Sequence, residues 1–162
     1  VTARQDALGL LAAPFAETAG ELGLAGASLA YEPSVPAPEA LAARLEQDLE
    51  RGTTGVGPHL DDVEIRCGDR DLRAFGSQGE QRLAVLSLLL AEAALVTARR
   101  GVPPLLLLDD ALSELDGSRR RILSERIGER GQTIVTATGS EALPLAPAQL
   151  VEVTPGSART AG

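Results

Sequence analysis

Residues 105–116, which read LLLLDDALSELD, carry the strongest structural signal in the chain. An apolar run that ends in Asp109 and Asp110 is typical of a parallel-sheet strand that is buried on both faces. Open α/β sheets bind ligands outside the carboxyl ends of their strands, which is where we expect the two carboxylates to lie. The stretch therefore predicts an α/β fold with an anionic site at one edge of the sheet.

Local patterns on either side of this strand support the same fold class. We predict one long helix from Ser77 to near Arg100, since Ser77 is a favourable N-cap. Downstream, a helix at about 118–129 and two further buried strands at 133–137 and 150–153 are expected. Helices that alternate with buried strands indicate a mostly parallel sheet flanked by helices.

The acidic pair suits a magnesium site. Mg²⁺ prefers oxygen ligands and usually takes one or two carboxylates together with phosphate oxygens. Asp109 is the predicted Mg²⁺ ligand, directly or through water, and Asp110 would orient or deprotonate an attacking water. A solvated strand end is the alternative explanation, because acidic residues are common at such positions.

A second signal lies at residues 75–82, FGSQGEQR, which open the long predicted helix. The Ser77 hydroxyl, the glycines and the free backbone N–H groups of a helix start favour an anion such as a γ-phosphate. Taken alone, these residues are better explained as an ordinary N-cap after a glycine-containing turn.

Two shorter segments follow the acidic pair. Residues 113–116, SELD, are explained by a strand-to-helix turn with an N-cap, and residues 136–138, TAT, end the next predicted strand as a candidate γ-phosphate sensor. Neither segment is specific when taken alone.

The order and spacing of all four segments are far more specific, and they resemble the C-terminal half of an ABC-type P-loop ATPase head preceded by a small helical segment. The resemblance implies that residues 77–81 form the signature motif of the head. Its nucleotide-binding residues would be Ser77, Gln78, Gly79, Glu80 and Gln81.

The same resemblance assigns roles around the acidic pair. It implies that Asp109 is the Walker B metal ligand and that Asp110 is the catalytic acid. Ser113 and Asp116 would contact nucleotide from the D-loop, and Thr138 stands where many relatives have a switch histidine.

Within this superfamily, the chain is similar to the RecF family. Residues 76–82, GSQGEQR, resemble the RecF signature region, and residues 106–116 resemble its Walker B and D-loop. Transporters and SMC proteins usually carry Asp-Glu where this chain has Asp-Asp. Residues 57–62, GPHLDD, resemble the RecF segment GPHRDD with Leu60 in place of arginine, a departure that removes a charge. We assign no catalytic role to Asp61 or Asp62.

The RecF resemblance implies an ATP-dependent DNA-binding protein of DNA replication and recombinational repair, with ATP and Mg²⁺ as cofactors. The implied partners are DNA at single-strand/duplex junctions, RecO, RecR and a second copy of the protein in an ATP-dependent homodimer. In that dimer Ser77 and Gly79 would act in trans, while Asp109 and Asp110 act in cis. The resemblance also implies a cytoplasmic protein without a membrane partner and a weak DNA-dependent ATPase.

Composition limits what this chain does alone. All 15 basic residues are arginine, and a P-loop needs a lysine that reaches the β- and γ-phosphates. We therefore expect a fragment that does not bind or hydrolyse ATP well by itself. The net charge of −8 disfavours DNA binding by the whole chain, and the basic triplet at 119–121 reads as a solvated helix face or a phosphate contact.

Single copies of His59 and Cys67 argue against a zinc site built from histidine and cysteine, and one cysteine excludes an internal disulfide. The expected domains are residues 1–52 as the end of a helical second domain, 53–154 as the head half, and 155–162 as a disordered tail.

Other functions stay open at this point. The alternatives are another ABC-type head, such as an SMC-like protein or a transporter ATPase, and a degenerate module that has lost ATP turnover. The presence or absence of a P-loop lysine upstream of this sequence discriminates between an ATPase and such a module.

Overall fold

The computed structural model describes residues 2–33, 38–113, 115–128, 131–139 and 147–161 of the 162-residue chain. The chain divides into two compact units, Val1–Leu95 and Val96–Gly162. The predicted α/β class is confirmed, because helices alternate with strands and one strand pair is parallel.

The first unit combines helices with a small antiparallel sheet. The sheet has the order β1-β2-β3, and β1 pairs with β2 from Ala27↔Cys67 to Ala30↔Glu64. The predicted domain boundary at residue 52 thus falls between two strands that pair with each other. The elements are α1 (Thr2–Glu21), β1 (Ala27–Ala30), α2 (Pro38–Arg51), β2 (Glu64–Cys67), β3 (Arg70–Asp71), α3 (Leu72–Phe75) and the start of α4 (Gln78–Arg100).

Helix α4 begins and ends where the sequence predicts. It starts directly after Ser77, and Gly101 follows its last residue with a φ of 71° and an N–H···O bond of 2.8 Å to Thr97. A left-handed glycine at this position is a common helix stop. The buried residues of α4 recur at helical spacing: Leu83, Ala84, Leu86, Ser87, Leu90, Ala91 and Ala93.

By length and composition, α4 also passes the test for a helix that crosses a membrane, as many buried helices of soluble proteins do. Its buried face includes Leu83 and Leu90, which are almost fully enclosed by the protein. The Ser87 hydroxyl on the same face donates to the Leu83 carbonyl oxygen at 2.7 Å. One face of α4 therefore belongs to the core of the described residues.

The second unit contains the parallel strand pair. Strand β4 (Leu106–Leu108) pairs with β5 (Thr133–Val135), and helix α5 (Gly117–Gly128) lies between them in sequence. The core of this unit includes Leu106, Leu108, Leu112, Leu115, Leu123 and Ile127. A strand, a crossover helix and a parallel strand form the βαβ arrangement that the sequence predicts.

Strand β4 is buried on one face, and the prediction of burial on both faces is wrong within this structure. Leu106 and Leu108 are 3% and 4% exposed, whereas Leu107 is 66% exposed. Leu105 and Ile134 share the exposed face with Leu107, since Leu107 pairs with Ile134. The described residues supply two strands to this sheet, and they leave that face open.

The end of the chain differs from the prediction in two ways. Strand β6 (Leu150–Thr154) is largely exposed and forms an antiparallel hairpin with β7 (Ser157–Ala161), so it is not a third buried strand of the parallel sheet. Residues 157–161 are therefore ordered as a strand instead of a disordered tail. The reason is a Pro155-Gly156 turn, in which Gly156 has a φ of 78°.

Candidate functional site

Asp109 and Asp110 follow β4 directly, at the carboxyl end of the parallel strand pair, as predicted. The ladder continues one residue beyond β5, because the Thr136 N–H donates to the Leu108 carbonyl oxygen at 2.9 Å. This bond brings the Thr136 side chain to the acidic pair. Its hydroxyl donates to Asp109 Oδ1 at 2.5 Å and accepts from the Asp110 N–H at 3.0 Å.

Asp110 has an unusual backbone. Its φ of 47° lies in the left-handed region, which no other non-glycine residue of the described ranges occupies. Such a conformation disfavours a side chain with a Cβ atom and points to local constraint. The Ser113 hydroxyl supplies part of that constraint, with contacts of 3.1 Å to Asp110 Oδ2 and 3.2 Å to the Asp110 carbonyl oxygen.

Ser113, Leu115 and Asp116 lie between the acidic pair and α5, and Glu114 lies outside the described residues. Asp116 caps α5, because its Oδ1 accepts from the Arg119 N–H at 2.9 Å. The Arg119 guanidinium also lies 3.5 Å from Asp116 Oδ2. Asp116 therefore has a clear structural role as an N-cap.

Arg120 fixes the same turn from α5. Its Nε donates to the Leu112 carbonyl oxygen at 3.0 Å, and its Nη2 donates to the Ser113 carbonyl oxygen at 3.3 Å. Two arginines of the basic triplet, Arg119 and Arg120, are thus engaged with the turn that precedes them. This favours a structural role for these two over contact with a nucleic-acid phosphate.

The predicted nucleotide-binding segment at 77–81 lies in the first unit and forms a capping box. Ser77 Oγ accepts from the Glu80 N–H at 3.2 Å, and Glu80 Oε2 accepts from the Ser77 N–H at 2.8 Å. Arg70 adds an ion pair of 3.1 Å to Glu80 Oε1. The Ser77 backbone N–H and the Arg70 guanidinium hold the pKa of the Glu80 carboxyl below its usual value.

Gln81 connects this segment to the residues before it. Its Nε2 donates to the Gly76 carbonyl oxygen at 3.1 Å and to the Arg73 carbonyl oxygen at 3.3 Å. Gly76 itself is sterically required, because a Cβ atom there would lie 2.5 Å from the Leu72 carbonyl oxygen. The side chain of Gln81 therefore holds the helix start in place.

Ser77 and Gln78 are exposed, and the position of Gly79 is open. A Cβ atom at Gly79 would meet no atom of the described residues within 4 Å. The packing of this chain thus gives no reason for a glycine at this position. A close approach by a group from outside the chain would give one.

The GPHLDD segment is held by contacts within the first unit. Tyr31 donates its hydroxyl to Asp61 Oδ2 at 2.9 Å, while Arg4 Nη1 donates to the Pro58 carbonyl oxygen at 2.7 Å. Asp62 forms an ion pair with Arg73. Asp61 and Asp62 thus both have partners within the first unit.

The structure brings together one group of predicted residues and adds one residue to it. Asp109, Asp110 and Ser113 meet around the end of β4, whereas Thr138 is exposed two residues beyond Thr136. The sequence analysis named Thr138 as the candidate phosphate sensor and assigned no contact with the acidic pair to Thr136. The parallel register of β4 and β5 would have identified it, because it places Thr136 opposite the acidic pair.

The donor set fits Mg²⁺ only as a partial site. No group of three or more His, Cys, Asp or Glu side chains within the described ranges is arranged to hold a metal ion. Mg²⁺ normally keeps several waters and takes one or two carboxylates together with phosphate oxygens. The Asp109–Asp110 turn matches that requirement when a bound nucleotide supplies the remaining oxygens.

Sequence comparison relates the chain to one group of proteins, although no family model matches it. It is 44% identical over 146 residues to the DNA replication and repair protein RecF of Synechococcus sp. (strain JA-3-3Ab), covering 80% of this chain and 38% of the relative. It is 48% identical over 100 residues to RecF of Myxococcus xanthus (strain DK1622), covering 62% and 26%. The chain thus spans well under half of the length of these relatives.

Comparison with solved structures points to the same group of proteins. The recombination mediator protein RecF-ATPrS in the RecFOR pathway matches 99% of this chain over 46% of its own, with a TM-score of 0.73 and 27% identity. An SMC head bound to the C-winged helix domain of ScpA matches 97% of this chain over 43% of its own, with a TM-score of 0.60 and 17% identity, which shows a shared fold alone. Sequence and fold together show that this chain is similar to the C-terminal part of RecF proteins, with an α/β fold consistent with half of an ABC-type ATPase head.

Proposed function

We propose that this chain is the part of a RecF-like, ATP-dependent DNA-binding protein that carries the signature motif, the Walker B aspartate and the D-loop. The protein would act in DNA replication and recombinational repair. The observation that carries the proposal is the Asp109–Asp110 turn, which lies at the carboxyl end of a parallel strand and is bound by Thr136 and Ser113. The RecF relatives and the RecF-ATPrS structure support it.

In this proposal the chain supplies only part of an ATP site. It has no lysine for a P-loop, so another stretch of polypeptide would have to hold the β- and γ-phosphates. Asp109 would hold Mg²⁺, which neutralises charge on the phosphates when it is bound. Asp110 would orient the attacking water and accept its proton.

We further propose that residues 77–81 act on a nucleotide bound to a second copy of the protein. Ser77 and Gln78 are exposed at the start of α4, and Gly79 leaves open space beside the helix. A helix start of this kind favours a phosphate group. ATP would then join the two copies, because it binds the dimer and stabilises it by mass action.

The test is the variant Ser77→Arg in a full-length RecF-type protein that carries this chain. A bulky cation at this exposed position should abolish ATP-dependent dimerisation and leave nucleotide binding by the monomer largely intact. Light scattering after size-exclusion chromatography, with and without ATP, measures the first effect, and nucleotide titration measures the second.

The matched control is Ser28→Arg, which places the same side chain at an exposed position on strand β1 of the same unit. This variant should dimerise like the parent protein. If Ser77→Arg also dimerises normally with ATP, residues 77–81 are not a signature motif that acts in trans.

DNA binding is proposed from the similarity to RecF alone. The net charge of −8 gives this chain itself no general attraction for DNA. Nonspecific DNA binding depends on basic side chains that neutralise phosphates. Arg119 and Arg120 are engaged with the turn at 113–116, so the DNA contact would lie elsewhere in the protein. Binding at single-strand/duplex junctions, the partners RecO and RecR and a cytoplasmic location belong to the same proposal.

A further inference from the structure

We propose that Thr136 is a positioning residue, which holds the Asp109 carboxylate and the Asp110 backbone in the geometry that the metal site needs. This inference rests on the proposed function, because it assumes that Asp109 holds the cation. It assigns to Thr136, through its hydroxyl group, a task separate from that of the predicted sensor Thr138.

The hydroxyl of Thr136 makes two bonds of opposite sense. It donates its proton to Asp109 Oδ1 and accepts the proton of the Asp110 N–H. One hydroxyl provides one donor and two acceptor sites, so both bonds form simultaneously. The pair of bonds fixes the orientation of one carboxylate and the backbone direction of the next residue.

The backbone of Asp110 shows why such a bridge is needed. Its φ of 47° is uncommon for a residue with a Cβ atom, although aspartate adopts it more readily than most residues, and surrounding hydrogen bonds help to maintain it. The bond from the Asp110 N–H to Thr136 Oγ1 is one such contact. Ser113 provides another, since its hydroxyl contacts the carboxylate and the carbonyl oxygen of Asp110.

Packing does not explain a threonine at this position. The Thr136 side chain is exposed, and the backbone bond to Leu108 is available to any residue except proline. Valine has the same shape and is at least as favourable at the end of a strand. The hydroxyl is therefore the property of Thr136 that the acidic pair uses.

The first experiment measures the bridge without any ligand. In the full-length protein, amide hydrogen exchange at Asp110 should be faster in Thr136→Val than in the parent protein, because the N–H loses its acceptor. Thr136→Ser keeps the hydroxyl and should restore the protection. Equal exchange at Asp110 in all three proteins would overturn the proposed bridge.

The second experiment measures metal affinity, with Mn²⁺ as a paramagnetic probe in the presence of a slowly hydrolysed ATP analogue. Residues that orient a metal ligand typically change metal affinity by roughly 10- to 100-fold, and Thr136→Val should weaken Mn²⁺ binding to about this extent. Thr136→Ser should stay close to the parent protein. The control Thr160→Val alters an exposed threonine of β7 and should have no effect.

Asp109→Asn separates failure of this inference from failure of the proposed function. If Asp109→Asn greatly weakens Mn²⁺ binding and Thr136→Val leaves it unchanged, Asp109 holds the metal and Thr136 does not position it. If Asp109→Asn itself leaves Mn²⁺ binding unchanged, the proposed metal ligand is wrong, and the positioning role of Thr136 fails with it.

Discussion

At the scale of single residues, Asp110 combines an unfavourable backbone with a carboxylate that a neighbouring hydroxyl holds. Its left-handed φ turns the chain sharply after β4, and Ser113 binds the carboxylate at 3.1 Å. Strained backbone that its surroundings maintain is common at functional sites. The residue is thus placed by contacts on both sides instead of by burial in the core.

A change of charge at Asp110 tests its proposed catalytic role. Asp110→Asn preserves size, and asparagine tolerates left-handed backbone well. In a full-length protein, loss of the proton acceptor should slow ATP hydrolysis by about 100-fold or more and prolong the ATP-bound dimer. Single-turnover hydrolysis and dimer lifetime are the measurements.

The control for this experiment is Asp69→Asn, which removes an exposed carboxylate from the turn between β2 and β3. Its turnover should match that of the parent protein. Normal turnover in Asp110→Asn would show that another group activates the water.

At the scale of elements, the start of α4 depends on a reciprocal cap. Ser77 and Glu80 exchange hydrogen bonds, and Arg70 joins the cap to the β2–β3 hairpin. Capping boxes of this kind satisfy two backbone N–H groups that a helix start otherwise leaves unpaired. The charge of Glu80 also favours the N-terminal end of the helix dipole.

The lowered pKa of Glu80 predicts how stability depends on pH. Because the pKa is lower in the folded state than in the unfolded state, the ionised carboxylate stabilises the fold at neutral pH. That contribution is lost as the pH falls below the ordinary glutamate value and through the folded value. Glu80→Gln keeps the capping geometry and should lower the free energy of unfolding at pH 7. In acid, the variant and the parent protein should have nearly the same free energy of unfolding.

Denaturant unfolding at several pH values measures this effect. Glu92→Gln is the matched control, since it removes an exposed carboxylate from the middle of the same helix. A Glu80→Gln penalty that stays constant from pH 7 into acid would contradict a cap that depends on the charge of Glu80.

Elements with strong local signals were predictable from sequence, and their partners were not. Ser77 and Gly101 mark both ends of α4, and the acidic pair marks the end of β4. The exposed face of Leu107 and the hairpin of β6 depend on which strands lie alongside, which a strand's own residues do not specify. For the same reason, the contact between Thr136 and Asp109 follows from the β4–β5 register and not from the segment TAT alone.

At the scale of the whole molecule, the chain carries an acidic pair and a capped helix start but no lysine. We expect the 162-residue chain alone to show no ATP hydrolysis and weak ATP binding. Supplying the P-loop half of a RecF relative, by co-expression or fusion, should restore both. Calorimetric titration and phosphate release are the measurements, with a P-loop half that lacks its lysine as the control.

Strong ATP binding by the 162-residue chain alone would contradict this expectation. It would mean that arginines replace the P-loop lysine, and the assignment of an incomplete site would have to be abandoned.

The two hydrogen bonds from Arg120 to the Leu112 and Ser113 carbonyl oxygens link α5 to the residues before it. Because Arg120 lies in the first turn of α5, we expect a displacement of these carbonyl groups to move the helix as well. With 12 residues, α5 is about 18 Å long at the usual rise per residue. In the proposed dimer, a contact that displaces Leu112 and Ser113 would therefore also move the far end of α5.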